Sequence, residues 1–351
     1  MIFNKRTNSE SIFNKRMKKF KGMKRGYYSF IILVSLYLLS FLNPLLINNK
    51  ALVVKYNGEY FFPVSKYYPS TTFNQKGYGE AQYRKLNEQF ENDNSDNWVI
   101  MPVYPFHPNE SLLGEINGEP PHAPTSLHWL GTDNRARDVF ARMIYGFNIS
   151  VSFALIVTVI AYIIGITIGA VLGFFGGRVD MFGQRFIEVF ASIPFLYMVI
   201  IISSVLQPSF WLLVTIMSCF NWVGMSYYIR GEFYKEKAKD YVSAAISMGA
   251  DNRRVMFKHI LPNALTPIIT FAPFALIGNI ATLVSLDFLG FGLAAPTPSW
   301  GEIVNQGISD IRYWWLILSP MGASFTTLLL ISFIGEGVRE AFDPKVHSRL
   351  R

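Results

Sequence analysis

Charge is scarce in this chain. Only 16% of its 351 residues are Asp, Glu, Lys or Arg, while 51% are hydrophobic. A soluble domain carries charge on roughly a quarter of its residues. Cysteine is rarer still: Cys219 is alone, inside an apolar run, which excludes a disulfide framework and a cysteine-based metal site and leaves a buried, inert thiol as the expectation. No G-x-x-x-x-G-K-[ST] stretch occurs, so this chain has no phosphate cradle of that type. A paired His/Glu metal motif and a nucleophile elbow are missing as well. Ionisable groups are nearly absent from the long apolar stretches, Glu188 being the one acid within them, which argues against an ion-coupled carrier.

The apolar residues fall into runs of membrane-crossing length. A bilayer core about 30 Å thick needs roughly 20 residues of helix. Tyr27 to Ile47, Ile149 to Phe175, Asn263 to Leu286 and Tyr313 to Ile334 each qualify. Phe186 to Ile229 is about twice that length and divides at Gln207-Pro208-Ser209, because proline breaks a helix. Six spans are predicted, making an all-α polytopic membrane protein. The first is an anchor rather than a cleaved leader, since Asn43-Pro44-Leu45-Leu46-Ile47 is no small-residue cleavage site.

Orientation follows from the loops. Residues 1–28 hold nine Lys/Arg and one acid, Glu10, a topology signal rather than a nucleic-acid site. Residues 48–148 contain eight Lys/Arg against eleven acids up to Asp138, plus Arg142 close to the membrane. The loop from Arg230 to Lys258 has seven Lys/Arg against four acids, and the tail adds Arg339, Lys345, Arg349 and Arg351. Both termini are therefore expected inside, in the inner membrane of a bacterium. The organisation reads as a basic tail (1–26), a first span (27–47), an external insert and adjoining segment (48–140), a five-helix core (141–338) with an inward loop at 230–262, and a final tail (339–351).

The insert is too long for a simple connector. Leu52 to Phe62 reads as a β-hairpin turning at Asn57-Gly58, a type I′ signal. Residues 74–97 are polar, and Pro102, Pro105, Pro108, Pro120, Pro121 and Pro124 make the remainder irregular, so an α/β or irregular insert is expected. His107, His122 and His128 lie there at irregular spacing, as surface histidines rather than metal ligands. In the spans, Gly165, Gly169, Ala170 and Gly173, with Gly278 and Ala281, suit close helix packing. Pro194, Pro267, Pro273 and Pro320 are placed within spans, as kinks or hinges. Glu188 is expected near an interface beside Arg185.

One loop stands out. From Lys239 to Ala250, Asp240 can cap a short helix that Gly249 ends in the left-handed conformation. Tyr241, Ala244, Ala245 and Met248 recur at three and four residues, giving a small apolar face. So short a helix is not stable alone and must dock onto something. Asp251 or Asn252 opens a second helical run, stopped at Leu261-Pro262.

Ala244-Ala245, Gly249 and then Ile260-Leu261-Pro262 resemble the loop motif of ABC importer permeases, A-A-x-x-x-G followed after a spacer by L-P. Ser243 stands where the broad motif has Glu. Leu130 to Asp138, with Arg142, Ile144-Tyr145-Gly146 and Ile149-Ser150, is similar to the entry to the second span of C-type oligopeptide permeases. Leu286 to Leu293 and Pro296 to Gly301 resemble their outer re-entrant segment, with Ala136 and Ala295 where that family usually has Gly and Pro. The insert, Gly183 to Glu188 and the ending Ile334 to Pro344 most resemble the microcin C–type branch. The resemblance implies a type I ABC importer-like fold and a permease for peptides or peptide-like compounds. Its short helix (Asp240, Tyr241, Ala244, Ala245, Met248, Gly249, with Leu261 and Pro262) would couple to an ATPase. It also implies a second, different permease, two ATP-binding subunits that carry ATP and Mg, and an extracytoplasmic solute-binding protein. This chain would bind no cofactor. Asp133, Arg137, Asp138, Asp287, Phe288, Phe291 and Trp300 are candidates for the outer gate and pathway; the acids could instead serve as loop caps or ion-pair partners. Importers of other small solutes such as metal chelates, an autonomous carrier or channel, and a membrane-bound enzyme using the insert are the alternatives.

Overall fold

The computed structural model describes residues 12–93, 96–116 and 118–342. Expectations for Glu10 and for the tail cations Lys345, Arg349 and Arg351 lie outside the described residues. The chain divides into two compact units. One takes the described residues of Met1–Val34, Ser152–Thr282 and Thr326–Arg351; the other takes Ser35–Val151 and Leu283–Phe325.

Helices make up most of the chain, several of them passing from one unit into the other. A basic helix α1 (Ile12–Gly22) leads into α2 (Lys24–Ser40). At 17 residues α2 is about 26 Å long, shorter than the expected first span. The chain then turns and resumes as α3 (Asn43–Leu46), with Pro44 in its first turn. Helix α5 (Val139–Phe175) follows the insert, then α6 (Gly177–Ala191), α7 (Phe195–Val205) and α8 (Phe210–Lys237). Two short helices, α9 (Asp240–Ser247) and α10 (Asn252–Arg254), precede a π turn at Val255–Ile260 and the long α11 (Leu261–Phe288). Helices α12 (Trp300–Ile308) and α13 (Trp314–Phe342) complete the chain.

Among the described residues four helices are long and apolar enough to cross a membrane: Val139–Phe175, Phe210–Lys237, Ile268–Phe288 and Ile311–Phe342. The expected third span is not one straight helix. It is the pair α6 and α7, bent by 62°. Pro194 sits at that break, not within a helix, because its ring forces the preceding residue out of the helical region. The break at Pro208 falls where the sequence placed it, and Ser209 caps α8 by accepting from the Leu212 N–H at 3.3 Å. Pro320 is inside α13.

Glycines set the helix spacing. A Cβ on Gly165 would lie 2.6 Å from Trp222 O, one on Gly169 2.5 Å from Ser226 O, and one on Gly173 2.6 Å from the Phe233 Cβ. Every fourth residue of α5 thus lets α8 approach to backbone contact. Gly26 of α2 likewise meets Phe333 O and Gly337 on α13. Gly278, expected to pack, has nothing within 4 Å. Cys219 is exposed rather than buried. Arg185 pairs with Glu188 at 2.6 Å as anticipated, and Arg230 of α8 pairs with Asp180 of α6.

In the second unit the hairpin forms as read. Strand β1 (Val53–Tyr56) pairs antiparallel with β2 (Glu59–Phe61), and Asn57 and Gly58 both take positive φ, as a type I′ turn requires. The polar stretch after residue 74 is more regular than expected. It contains α4 (Tyr83–Asn92), and a third strand β3 (Trp98–Ile100) joins β1 on its other edge. Tyr83, Leu86 and Phe90 turn one face of α4 into a core with Val54 and Phe73. Arg84 ties α4 to the proline-rich segment through Glu110 at 2.8 Å and Glu115 at 2.9 Å.

Candidate functional site

In the first unit the short helix α9 has the shape expected, with a different division of its faces. Lys239 is the N-cap and offers no side-chain cap, so Asp240 is the first helical residue rather than the cap. Its charge still suits the positive end of the helix. Gly249 follows at φ +83°, the left-handed stop. Val242 is buried in a cluster with Phe233, Val255, Met256 and Ile260 of the same unit, and Ala245 is buried as well. Ala245 is therefore turned inward and not free for a partner. Ala244, Ile246 and Met248 face out, and Met248 is 81% exposed.

Tyr241 fastens the helix at its other side. Its hydroxyl donates to Glu236 at 2.8 Å and lies 3.3 Å from both His259 O and the Asn263 amide. Glu236, buried at the end of α8, also accepts from Lys239 at 2.6 Å. Burial first, then the Glu236 contact, pushes the Tyr241 phenol above its ordinary pKa. Asp251 caps α10 by accepting from the Arg254 N–H.

Leu261-Pro262 does not stop the helical run. The chain widens into the π turn at Val255–Ile260, the Leu261 N–H reaching back to Met256 O, and continues as α11. Pro262 has no N–H to offer. A wider turn just before it accommodates that missing donor without ending the helix.

The second unit contains the other group of expected residues. Asp133 accepts from the N–H groups of Arg135 and Arg137 and, at 2.7 Å, from Arg137 Nε. Arg137 also reaches Glu302 at 3.0 Å. Arg142, with no exposed side-chain surface, donates to Glu302 at 2.6 Å and lies 3.7 Å from Asp133. Its Nη groups also donate to Pro108 O, Pro296 O and Thr297 O. Two arginines and two carboxylates thus form one buried network. Burial works against the Arg137 charge, but the Asp133 and Glu302 contacts hold its pKa above the ordinary value.

Asp138 caps α5 through the Ala141 N–H at 2.8 Å and accepts from Tyr104 at 2.7 Å. His128 Nδ1 lies 2.8 Å from the same carboxylate, so this histidine is a buried partner and not the surface group expected. Burial, then the Asp138 charge, raises the Tyr104 pKa. Asp287 accepts from the Leu293 N–H at 2.6 Å and from Ser299 at 2.5 Å, closing the turn after α11. Phe288 and Phe291 are half-buried. Trp300 is buried, donates to Met143 O at 3.0 Å and rests against Gly146, where a Cβ would come within 2.9 Å of the indole. Ala136, standing where the resemblance expects Gly, does adopt the left-handed conformation, at φ +55°.

Glu302 was not singled out from the sequence. The signal available was Ser299-x-x-Glu302 before an apolar run, a capping-box pattern. Ser299 does accept from the Glu302 N–H at 3.2 Å, but the Glu302 carboxylate turns to the arginines instead of back to the cap. Among the described residues no cluster of His, Cys, Asp and Glu could hold a metal ion.

Residues 165–348 match the family described as "Binding-protein-dependent transport system inner membrane component". The Agrobacterium fabrum peptidoglycan transport system permease protein YejE is 40% identical, over 94% of this chain and 92% of its own. The Escherichia coli inner membrane ABC transporter permease protein YejE is also 40% identical, over 94% and 96%. The Bacillus subtilis oligopeptide transport system permease protein OppC is 33% identical, over 71% of this chain and 81% of its own.

Proposed function

The chain belongs to the family of binding-protein-dependent transport system inner membrane components, and from that premise we propose that it is the permease subunit of an ATP-driven importer of peptides or peptide-like compounds. It is a multi-pass inner-membrane protein of the type I importer kind. The observation that carries the peptide reading is its likeness, along 94% of its length, to a peptidoglycan transport permease, with oligopeptide and dipeptide permeases next.

Helix α9 is the handle for a separate ATP-hydrolysing subunit. Ile246 and Met248 offer that subunit apolar side chains 53% and 81% exposed, while Val242 and Ala245 bolt the helix to its own chain. A second permease, two ATP-binding subunits and an extracytoplasmic binding protein complete the assembly. ATP and Mg belong to the ATP-binding subunits, so the chain itself is not an enzyme. The basic loop from Arg230 to Lys258 and the basic start of the chain support placing α9 and both termini on the cytoplasmic side.

Met248→Asp removes an apolar contact worth about 1.5–3 kcal/mol if fully buried by a partner, or roughly 10- to 100-fold in affinity. Co-purification with the ATP-binding subunits and ATP-driven uptake of a labelled peptide library should both collapse in this variant. Gly249→Val should do the same by straining the left-handed stop. Wild-type recovery of the ATP-binding subunits by both variants would sink the handle. Peptide flux through this chain alone, without ATP, would sink the importer.

A further inference from the structure

A pocket of about 250 Å³ opens in the first unit among α5, α8 and α11, near the middle of each helix. Thr158, Tyr162, Asn221, Asn279 and Thr282 supply its polar groups, and no residue lining it is charged. The side chains form a chain of hydrogen bonds. Asn221 Nδ2 donates to Asn279 Oδ1 at 2.6 Å, Asn279 Nδ2 to Thr158 Oγ1 at 2.9 Å, and Thr158 Oγ1 to Ala154 O at 2.7 Å. Asn279 is buried and spends both ends of its carboxamide on that chain. Asn221 is exposed and engages one N–H, which leaves its carbonyl and second N–H for whatever fills the pocket.

Such groups are costly at mid-bilayer unless water or protein meets them. An exposed carboxamide there marks a surface turned away from lipid. Gly278 keeps the space open, since nothing lies within 4 Å of where its Cβ would be. The free carbonyl and N–H of Asn221 are the complement of a peptide unit, which offers one N–H and one C=O. The lack of charge leaves the pocket indifferent to side-chain charge, so it selects what every peptide shares.

We propose that this pocket, with Asn221 as its recognition residue, binds backbone amides of the peptide in transit. The assignment rests on the peptide-importer reading above. In the intact importer reconstituted in vesicles, ATP-driven uptake of a labelled peptide it accepts is compared with uptake of that peptide bearing backbone N-methyl groups. Asn221→Leu should slow uptake of the parent peptide about fivefold, the worth of one neutral hydrogen bond, and narrow the difference between the two peptides. Asn221→Gln should restore both.

A second measurement does not depend on uptake by the leucine variant. Asn221→Cys in a Cys219→Ser background should react with a charged, water-borne thiosulfonate, and excess peptide should slow that reaction. Reaction confined to a lipid-soluble maleimide, or unaffected by peptide, would overturn the assignment and point to a lipid-facing or partner-facing surface. Unchanged peptide discrimination in Asn221→Leu would overturn it too. If the wild-type importer accepts no peptide at all, the peptide reading fails and the pocket's assignment fails with it. Normal uptake with an indifferent Asn221 sinks the pocket alone.

Discussion

Replacing Gly169 by alanine adds one methyl group at the tightest point of the α5–α8 contact. The new carbon would stand 2.5 Å from Ser226 O, 2.9 Å from the Ile229 Cβ and 3.1 Å from Arg230 N. Ordinary contact begins at 3.4 Å, so the helices must part by about 0.9 Å at this level. Two of the three obstacles are backbone atoms, and no side chain can rotate out of the way. Parting the helices also loosens the contacts at Gly165 and Gly173, one turn away on either side. Overpacking of this kind costs about 1–3 kcal/mol. Alanine's greater helix propensity, about 1 kcal/mol in water, offsets little here, because a membrane chain stays helical when its tertiary contacts are lost.

The assay is reversible unfolding of the purified chain in mild detergent titrated with dodecyl sulfate. Gly224→Ala is the control, since Gly224 lies on the facing helix α8 but has open space where the methyl would go. It should stay within about 0.5 kcal/mol of wild type, as surface substitutions do. If Gly169→Ala matches wild type, or if Gly224→Ala is destabilised equally, the glycines are not what sets the helix spacing. The same displacement should slow transport on the proposed reading, because α5 carries Thr158 and α8 carries Asn221, and both bond to Asn279.

Glu302→Gln should destabilise the chain by about 3 kcal/mol, the lower end for breaking a buried ion pair, since the Glu302 side chain is 24% exposed. It removes the closer of the two carboxylates that face Arg142 and leaves Asp133 at 3.7 Å; an unchanged melting temperature would refute the network's importance. His107 gives the insert a pH dependence. Burial lowers its pKa below the ordinary 6.5, Lys50 adds to that effect and Glu110 opposes it. The unfolded insert then binds a proton first, so stability is present above about 6.5 and is lost as pH falls through the folded value. Limited proteolysis of the insert should accelerate on acidification in the wild type and less so in His107→Gln; equal acceleration would refute this.

Much of the helical architecture was legible because hydrocarbon imposes a length and an uncharged composition that few other environments demand. The hairpin was legible for a local reason: Asn57-Gly58 meets the positive φ of both turn positions. The α6–α7 bend and the missing stop at Pro262 were not, for opposite reasons. Proline breaks a helix only where no neighbouring geometry can absorb its missing donor. At Pro262 a π turn does so, and at Pro194 the chain bends instead. Helix α4 and strand β3 escaped notice because a polar stretch hides three apolar residues, Tyr83, Leu86 and Phe90, whose spacing matters more than their number. The acids at 133, 138 and 287 were visible as acids. Their partners Glu302, Tyr104 and Ser299 come from elsewhere in the sequence, and no local pattern pairs them.

The face of α9 shows what tertiary structure adds to a motif. Four residues at helical spacing suggested one docking surface, yet a helix of eight residues must face its own protein as well as a partner. Val242 and Ala245 serve the first need, and the exposed Met248 is left for the second. That division has a mechanical consequence on the proposed reading. Tyr241 joins α9 to Glu236 on α8 and to His259 and Asn263 at the base of α11. A pull on Met248 therefore reaches two membrane helices through short polar links and a shared apolar core, not through slack loop. Both of those helices, α8 and α11, line the pocket that holds Asn221 and Asn279, so the proposed handle and the proposed amide site are parts of one packed body.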